Sequence, residues 1–284
     1  MREGETSPEE GALAPGSAGS VAEADASRSS PVRLWFRATG ALVGRELAAY
    51  FKSTMAYIIM FFFYLVTGLV FLNVFEILSR PGTPPTEFPM LNWFMFTLFF
   101  ALTVIVPAIT MRLFSDELKT RTLEPLCTAP VTDFQIVISK YLAALGFYVV
   151  LLAPTFLYAV ILYSTAKPHP PDRGPMVAGY LGLFFLGSYF LSIGIFASAC
   201  TKNQIVAFIG TFMAILVLQL VYVFRRLISL PWWKEFLEPF DFFENFMDFG
   251  RGVVDTRHIV YYLAMSALFL FLTVGVLGVR KWRL

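Results

Sequence analysis

Met176–Phe224 reads MVAGYLGLFFLGSYFLSIGIFASAC-TKN-QIVAFIGTFMAILVLQLVYVF, two apolar stretches parted only by Thr201, Lys202 and Asn203. A helix needs about 20 mostly apolar residues to cross a hydrocarbon core. Both halves meet that length without an Asp, Glu, Lys, Arg or His inside them. The polar tripeptide leaves room only for a tight turn, so Met176–Cys200 and Gln204–Phe224 are expected to form an antiparallel hairpin through a bilayer. Outward from this pair, the same length and composition recur at Tyr57–Phe75, Leu91–Met111, Tyr141–Tyr163 and Ile259–Val279. The expectation is an all-α integral membrane protein with six transmembrane helices.

Composition over the 284 residues agrees. The chain is 57% hydrophobic, 17% aromatic and only 15% charged, against about 25% charged in soluble domains, and its mean hydropathy is +0.67. Six such helices buried in a soluble protein would leave too few polar residues to coat its surface, which excludes a soluble enzyme. Net charge is +2 and the 22 Lys and Arg are scattered, so no basic stripe follows a nucleic-acid backbone. The bilayer is the expected partner and nucleic acid is not. Cys127 and Cys200 have no CxxC or His-rich neighbour, which supports neither a disulfide framework nor a metal site.

Residues 1–30 are rich in Gly, Ala, Ser, Pro and Glu, and burial there cannot offset the entropy of ordering. A disordered tail is expected over 1–30, followed by one transmembrane domain over 31–284. The tail lacks the basic start and apolar run of a cleaved signal peptide. From Val32 to Lys52 the residues Leu34, Trp35, Ala38, Leu42, Leu47 and Phe51 recur at helical spacing, with Arg33, Arg37, Arg45, Glu46 and Lys52 between them. This is a basic amphipathic helix, expected to lie among the headgroups with Trp35 at the interface; packing on other protein is the competing reading.

Orientation follows from Lys and Arg beside the spans. With the N-terminus cytoplasmic, the inner flanks carry Arg33, Arg37, Arg45, Lys52, Arg112, Lys119, Arg121, Lys140, Lys202, Arg280, Lys281 and Arg283, and the short outer loops only Arg80, Lys167 and Arg173. Both termini are therefore expected inside, although the segment 225–257 places further basic residues outside, mixed with Glu235, Glu238, Asp241, Glu244, Asp248 and Asp255.

The apolar cores contain no Asp, Glu, Lys, Arg or His, and Gln219 is their most polar side chain. Ion-coupled transporters usually need an ionisable group at depth, so ion coupling within this chain is not expected. There is no HExxH motif, and His169 and His258 lie outside the spans. The Gly-rich P-loop pattern ending in Gly-Lys-Ser or Gly-Lys-Thr is absent too, so this chain cannot supply an ATP site of that kind. No catalytic, cofactor-binding or metal-ligating residue is assigned, and any work must come from a partner. Ala178 with Gly182, and Gly194 with Ser198, are small residues that let a helix approach closely, within the chain or across a dimer. Pro107 and Pro154 are read as static kinks in preference to hinges.

Between the second and third apolar runs, Ser115–Gln135 sets Asp116, Glu117, Lys119, Arg121, Glu124 and Asp133 among Leu118, Leu123, Leu126 and Phe134. Thr132 followed by Gln135 is a capping-box start for the third span. Pro125 and Pro130 interrupt regular helix. The segment reads either as a solvated loop, which composition alone favours, or as a short helix held crosswise at the membrane surface.

The runs Arg112–Glu117, Thr122–Leu126, Ala129–Thr132 and Gln135–Val137 together strongly resemble the permease subunits of type-2 ABC transporters, especially the group associated with gliding motility. The resemblance covers roughly Val32 to Leu284. It implies that the loop 115–135 is a coupling element docking on an ATPase subunit, with Asp116, Glu117, Thr122, Leu123, Glu124, Leu126, Pro130 and Val131 at the docking positions. The amphipathic segment with Arg33, Trp35, Arg37, Arg45 and Glu46 would be the elbow helix. Two positions depart from the family pattern: Arg121 stands where members often have Gly, and Pro125 where Leu is common. A second match, Pro239, Phe240, Phe243, Phe246, Gly250, Arg251, Gly252, Val253 and Asp255, resembles the family's short outer re-entrant helices. With Trp232 and Trp233 it gives an aromatic surface interleaved with acids, expected to face lipid or a pore.

The resemblance thus implies a six-helix permease subunit in a prokaryotic inner membrane, paired as a homodimer with a second copy or as a pseudosymmetric dimer, and bound to separate ABC ATPase subunits. ATP and Mg are expected on those partners, with no cofactor in this chain. Export is implied more often than import. A force-transducing subunit acting on a periplasmic accessory protein is the first rival reading, and an ATPase-independent secondary transporter the second. The substrate is not legible.

Overall fold

The computed structural model describes residues 31–79, 89–121, 132–165, 173–227 and 242–281. The tail expected over 1–30 lies outside the described residues. In chain order the elements are α1 (Pro31–Lys52), α2 (Thr54–Ser79), α3 (Pro89–Thr110), α4 (Ser115–Thr120), α5 (Asp133–Leu152), α6 (Thr155–Thr165), α7 (Arg173–Cys200), α8 (Gln204–Leu227), α9 (Phe242–Gly250) and α10 (Thr256–Lys281). The described residues contain no strand.

Six stretches are long and apolar enough to cross a membrane: Thr54–Glu76, Phe94–Thr120, Asp133–Ser164, Arg173–Cys200, Gln204–Tyr222 and Thr256–Arg280. They fall on the six expected positions, and the protein is a multi-pass membrane protein. The third begins earlier than its apolar core, because the capping box is formed. Thr132 Oγ1 accepts from the Gln135 backbone N–H, and the Gln135 side chain accepts from the Thr132 N–H. Two orphan donors are thereby satisfied, and the helix starts at Asp133. Lys140 consequently sits on a helix, two turns inside its start.

α7 is the hub, packing against α10, α8, α3, α9 and α5. Its small residues make this possible. A Cβ on Gly182 would lie 2.7 Å from Phe249, one on Gly187 2.2 Å from Tyr148, and one on Gly194 2.2 Å from Thr110. Gly182, Gly194 and the buried Ala178 and Ser198 are thus used for packing within the chain. Tyr148 then donates to the Leu183 carbonyl (2.7 Å), and Tyr141 shares a hydrogen bond with Ser188 (2.6 Å). Around this hub, α2 exposes Phe61, Phe62 and Leu72, α8 exposes Ile205, Met213 and Val217, and α10 exposes Val260, Leu263 and Phe271. An apolar exterior of this extent is suited to lipid as solvent.

The two prolines differ. Pro107 is carried inside α3 without interruption, whereas the turn at Ala153 and Pro154 separates α5 from α6. Proline cannot donate to the carbonyl four residues back, and the freed Val150 carbonyl instead accepts from the Tyr64 hydroxyl (3.4 Å). The hairpin between α7 and α8 is as tight as the sequence demands: Asn203 accepts from the Ile205 N–H (2.9 Å) as the cap of α8. Gln219, the polar side chain at depth, is buried and donates to Thr103 on α3.

The outer aromatic segment corrects an expectation. α9 buries Phe242, Phe243, Phe246 and Phe249 instead of presenting them to lipid or a pore. Phe99 takes Phe242, Phe243 and Phe246 at centroid distances of 6.0, 5.0 and 5.5 Å, and Phe190 takes Phe242 at 5.5 Å. Ring-on-ring packing in the groove between α3 and α7 satisfies the same aromatic periodicity that a lipid-facing helix would show. Gly250 ends this helix, and Gly252 follows at φ 87, a left-handed turn. Trp232, Trp233 and Phe240 lie outside the described residues.

Candidate functional site

The end of the bundle that carries α4, called basal here, also holds the starts of α5 and α8 and the ends of α3, α7 and α10. The last two meet where Arg280 donates to the Cys200 carbonyl (2.6 Å). After α3 ends at Thr110, a turn over 111–114 leads into α4, a single helical turn and a half. Its first backbone donors are orphans by geometry, and α7 supplies their acceptor. The N–H groups of Phe114 and Ser115 donate to Ser198 Oγ at 3.1 and 3.2 Å, while Ser198 donates to the Met111 carbonyl (3.2 Å). Asp116 accepts from the side-chain amide of Gln204 at the start of α8. The short helix is therefore fixed to two spans by polar contacts, and Phe114 is completely buried beneath it. α4 ends at Arg121 in the left-handed conformation, φ 58 and ψ 20. That region favours glycine, the residue that the resemblance leads one to expect in place of Arg121.

The centre of the basal end is Lys140, 2% exposed, whose ammonium lies 2.7 Å from Glu117 Oε1 on α4 and 3.2 Å from Glu46 Oε2 on α1. The face of the Phe114 ring lies beneath it, 5.3 Å from Nζ to centroid, a desolvated cation–π geometry. Glu46 also accepts from Arg45 (2.7 Å). Burial alone would raise the Glu46 carboxyl, but the Lys140 charge and the Arg45 and Lys140 hydrogen bonds outweigh it and hold the group below the usual carboxylate value. Next to it, Tyr50 donates to the Ile109 carbonyl at the end of α3 (3.1 Å). Burial, and then the Glu46 charge, push its hydroxyl well up. One buried cation thus joins α1, α4 and α5, and Tyr50 adds α3.

α1 packs along the first turns of α5 with its contacts advancing in step. Trp35 stacks on Phe134 (6.5 Å), Gln135 donates to Thr39 (3.5 Å), and Tyr50 stacks on Phe147 (5.0 Å). One face of the amphipathic helix is therefore occupied by protein, while Phe36, Arg37 and Arg45 are exposed on it. The Arg33 side chain lies outside the described residues.

Between α1, α2, α3 and α5 this cluster encloses one side of a cavity of about 290 Å³. Its polar wall includes Glu46, Arg112, Asp116, Glu117 and Lys140, and its apolar wall Met55, Ile59, Ile109 and Leu113. Among the described residues, no group of three or more His, Cys, Asp or Glu side chains converges for a metal ion. The arrangement supplies no activated nucleophile. Its geometry ties α4 directly to α5, α7 and α8, and through Lys140 to α1.

Of the sequence-predicted docking residues, Asp116 and Glu117 belong to this cluster, each turned into contact with a span or the elbow. Thr122, Leu123, Glu124, Leu126, Pro130 and Val131 lie outside the described residues. The sequence presented Lys140 only as a charge beside a span and Ser198 only as a small residue for close approach, and gave Gln204 and Tyr50 no role. The available signal for Lys140 was its position after the capping box, which places it on the helix between apolar neighbours instead of in the flank.

A family model described as ABC-2 family transporter protein matches residues 48–226, a stretch that contains α4, Lys140 and the α7–α8 hairpin. No curated protein matches the chain.

Proposed function

The chain belongs to the ABC-2 family of transporter proteins, and on that premise we propose that it is the non-catalytic permease subunit whose basal end docks on separate ATPase subunits. ATP and Mg are then held by those partners. The observation that carries the docking is the attachment of α4. A six-residue helix at the end of two apolar helices is joined to α7 through Ser198, to α8 through Gln204, and to α1 and α5 through Lys140. Such attachments suit an element that receives a push and distributes it to spans. The docking surface would continue through Thr122, Leu123, Glu124, Leu126, Pro130 and Val131.

The excess of Lys and Arg beside the basal ends supports a cytoplasmic position for that end and for both termini, in a prokaryotic inner membrane. A second copy of the chain, as a homodimer, would complete a path between permeases, and export of a substrate of unspecified chemistry is the favoured direction. The test is co-purification with the cognate ATPase. Glu124→Lys and Leu126→Asp lower ATPase recovery while membrane insertion is intact; undiminished recovery in both variants removes the docking assignment.

A further inference from the structure

We propose that the basal cavity is a binding site for the headgroup of an aminophospholipid, with the primary ammonium on Glu117 and the phosphate on Arg112. Four observations meet there. First, the space of about 290 Å³ would hold roughly ten waters at about 30 Å³ each, enough for a phosphoethanolamine group but too small for acyl chains as well. Second, Glu117 uses Oε1 for Lys140, and its Oε2 is buried without any hydrogen-bond partner. A buried anionic acceptor of this kind calls for a donor, and an ammonium is the donor that also matches its charge. Third, Arg112 lies on the same cavity wall, is exposed, and forms no ion pair among the described residues. Its fork of donors suits a phosphate. Fourth, the lining changes from charged to apolar, with Met55, Ala56 and Ile59 on the first turns of α2 and Ala108 and Ile109 on the last turn of α3. These are the turns where α2 begins and α3 ends, so the lining changes from charged to apolar where the first two long apolar helices meet the basal end. Acyl chains would follow the exposed Tyr57, Ile58 and Phe61 on α2.

Lys140 is already matched by two carboxylates, and Asp116 adds a third acid to the wall. A purely anionic headgroup brings no donor for Glu117 Oε2, whereas a zwitterion presents each wall with its opposite charge. A quaternary ammonium carries no N–H for Oε2, which separates ethanolamine from choline headgroups.

The inference rests on the membrane-spanning architecture and not on the ATPase partnership, so a failed lipid assay and a failed ATPase pull-down are separate results. The full-length protein is reconstituted in vesicles of equal phosphatidylethanolamine, phosphatidylcholine and phosphatidylglycerol, and the lipids retained after mild extraction are counted by native mass spectrometry. Wild type retains phosphatidylethanolamine over each other lipid by about tenfold, the size of one charge-assisted contact, and both Arg112→Gln and Glu117→Gln abolish that preference. Arg112→Gln is the decisive variant, since Glu117 also holds Lys140 and its replacement disturbs the fold. Arg251→Gln, at the other end of the bundle, keeps the wild-type preference. Soluble glycerophosphoethanolamine at millimolar concentration displaces the lipid. Equal retention of all three lipids, which would mean a cavity filled by water only, overturns the proposal. So does a preference that survives Arg112→Gln, or saturable binding of the soluble compound without retention of the lipid.

Discussion

Replacing Lys140 by methionine tests the account of the basal end quantitatively. At 2.7 and 3.2 Å from Glu117 and Glu46, and with an effective dielectric near 20, each attraction is about 5–6 kcal/mol before desolvation. Taking the ammonium out of water cancels most of this. The cost of the substitution comes instead from what remains: two carboxylates facing each other, with Arg45 beside only one of them. Breaking a fully buried pair costs about 3–5 kcal/mol. The carboxylate side chains keep 13% and 22% of their surface exposed, which places this site at the lower end, about 3 kcal/mol. At roughly 2 °C per kcal/mol for a chain of this size, Lys140→Met lowers the unfolding temperature of the detergent-solubilised protein by about 6 °C. The triple variant Glu46→Gln, Glu117→Gln, Lys140→Met leaves no buried orphan charge, Arg45 being exposed, and returns to within about 1 kcal/mol of wild type. If Lys140→Met unfolds at the wild-type temperature, or if the triple variant is no better than the single one, the buried cation does not hold the three elements together.

Other substitutions address other links. Gly187→Ala and Gly194→Ala each place a methyl 2.2 Å from a buried neighbour and cost about 3 kcal/mol by overpacking, measured as loss of monodisperse protein on heating, whereas Gly210→Ala, which meets nothing within 4 Å, is neutral. Arg121→Gly relieves the left-handed residue at the end of α4 and stabilises by up to about 1 kcal/mol, while Arg121→Val is destabilising; thermal unfolding of the three proteins gives the order. The depressed Glu46 carboxyl makes part of the stability pH-dependent. That part is fully present above the ordinary glutamate value of 4.5 and is lost as pH falls through the lower folded-state value. Unfolding temperatures between pH 6 and pH 3.5 should therefore fall less steeply for Glu46→Gln than for wild type.

The spans were legible because the requirement that defines them is local. A membrane helix must carry its apolar residues consecutively, and Met176–Cys200 or Tyr57–Phe75 shows this without reference to any other part of the chain. The capping box at Thr132 and Gln135 is local too, and it formed as its spacing implies. The cation at the centre of the basal end was hidden for the opposite reason. Lys140 meets Glu46 and Glu117 across sequence separations of 94 and 23, and nothing in any one of these segments announces the others. Counted by itself, Lys140 is another positive charge beside a span. The aromatic segment before the last span illustrates a different limit. Phe242, Phe243, Phe246 and Phe249 give the same periodicity whether they face lipid or protein, and only the rings of Phe99 and Phe190 decide the direction. Likewise Gly182 and Gly194 announce a close approach, but Phe249 and Thr110, which make it, lie far away in sequence.

Docking of the basal end on a nucleotide-hydrolysing partner is the step that joins this chain to a source of work. It is tested most directly by solubilising the protein from its native membranes under mild conditions, recovering it by an affinity tag, and identifying what remains bound by mass spectrometry. A soluble P-loop ATPase is expected, recovered with wild type and reduced with Leu126→Asp. Repeated absence of any such ATPase from a preparation that unfolds cooperatively on heating would contradict it.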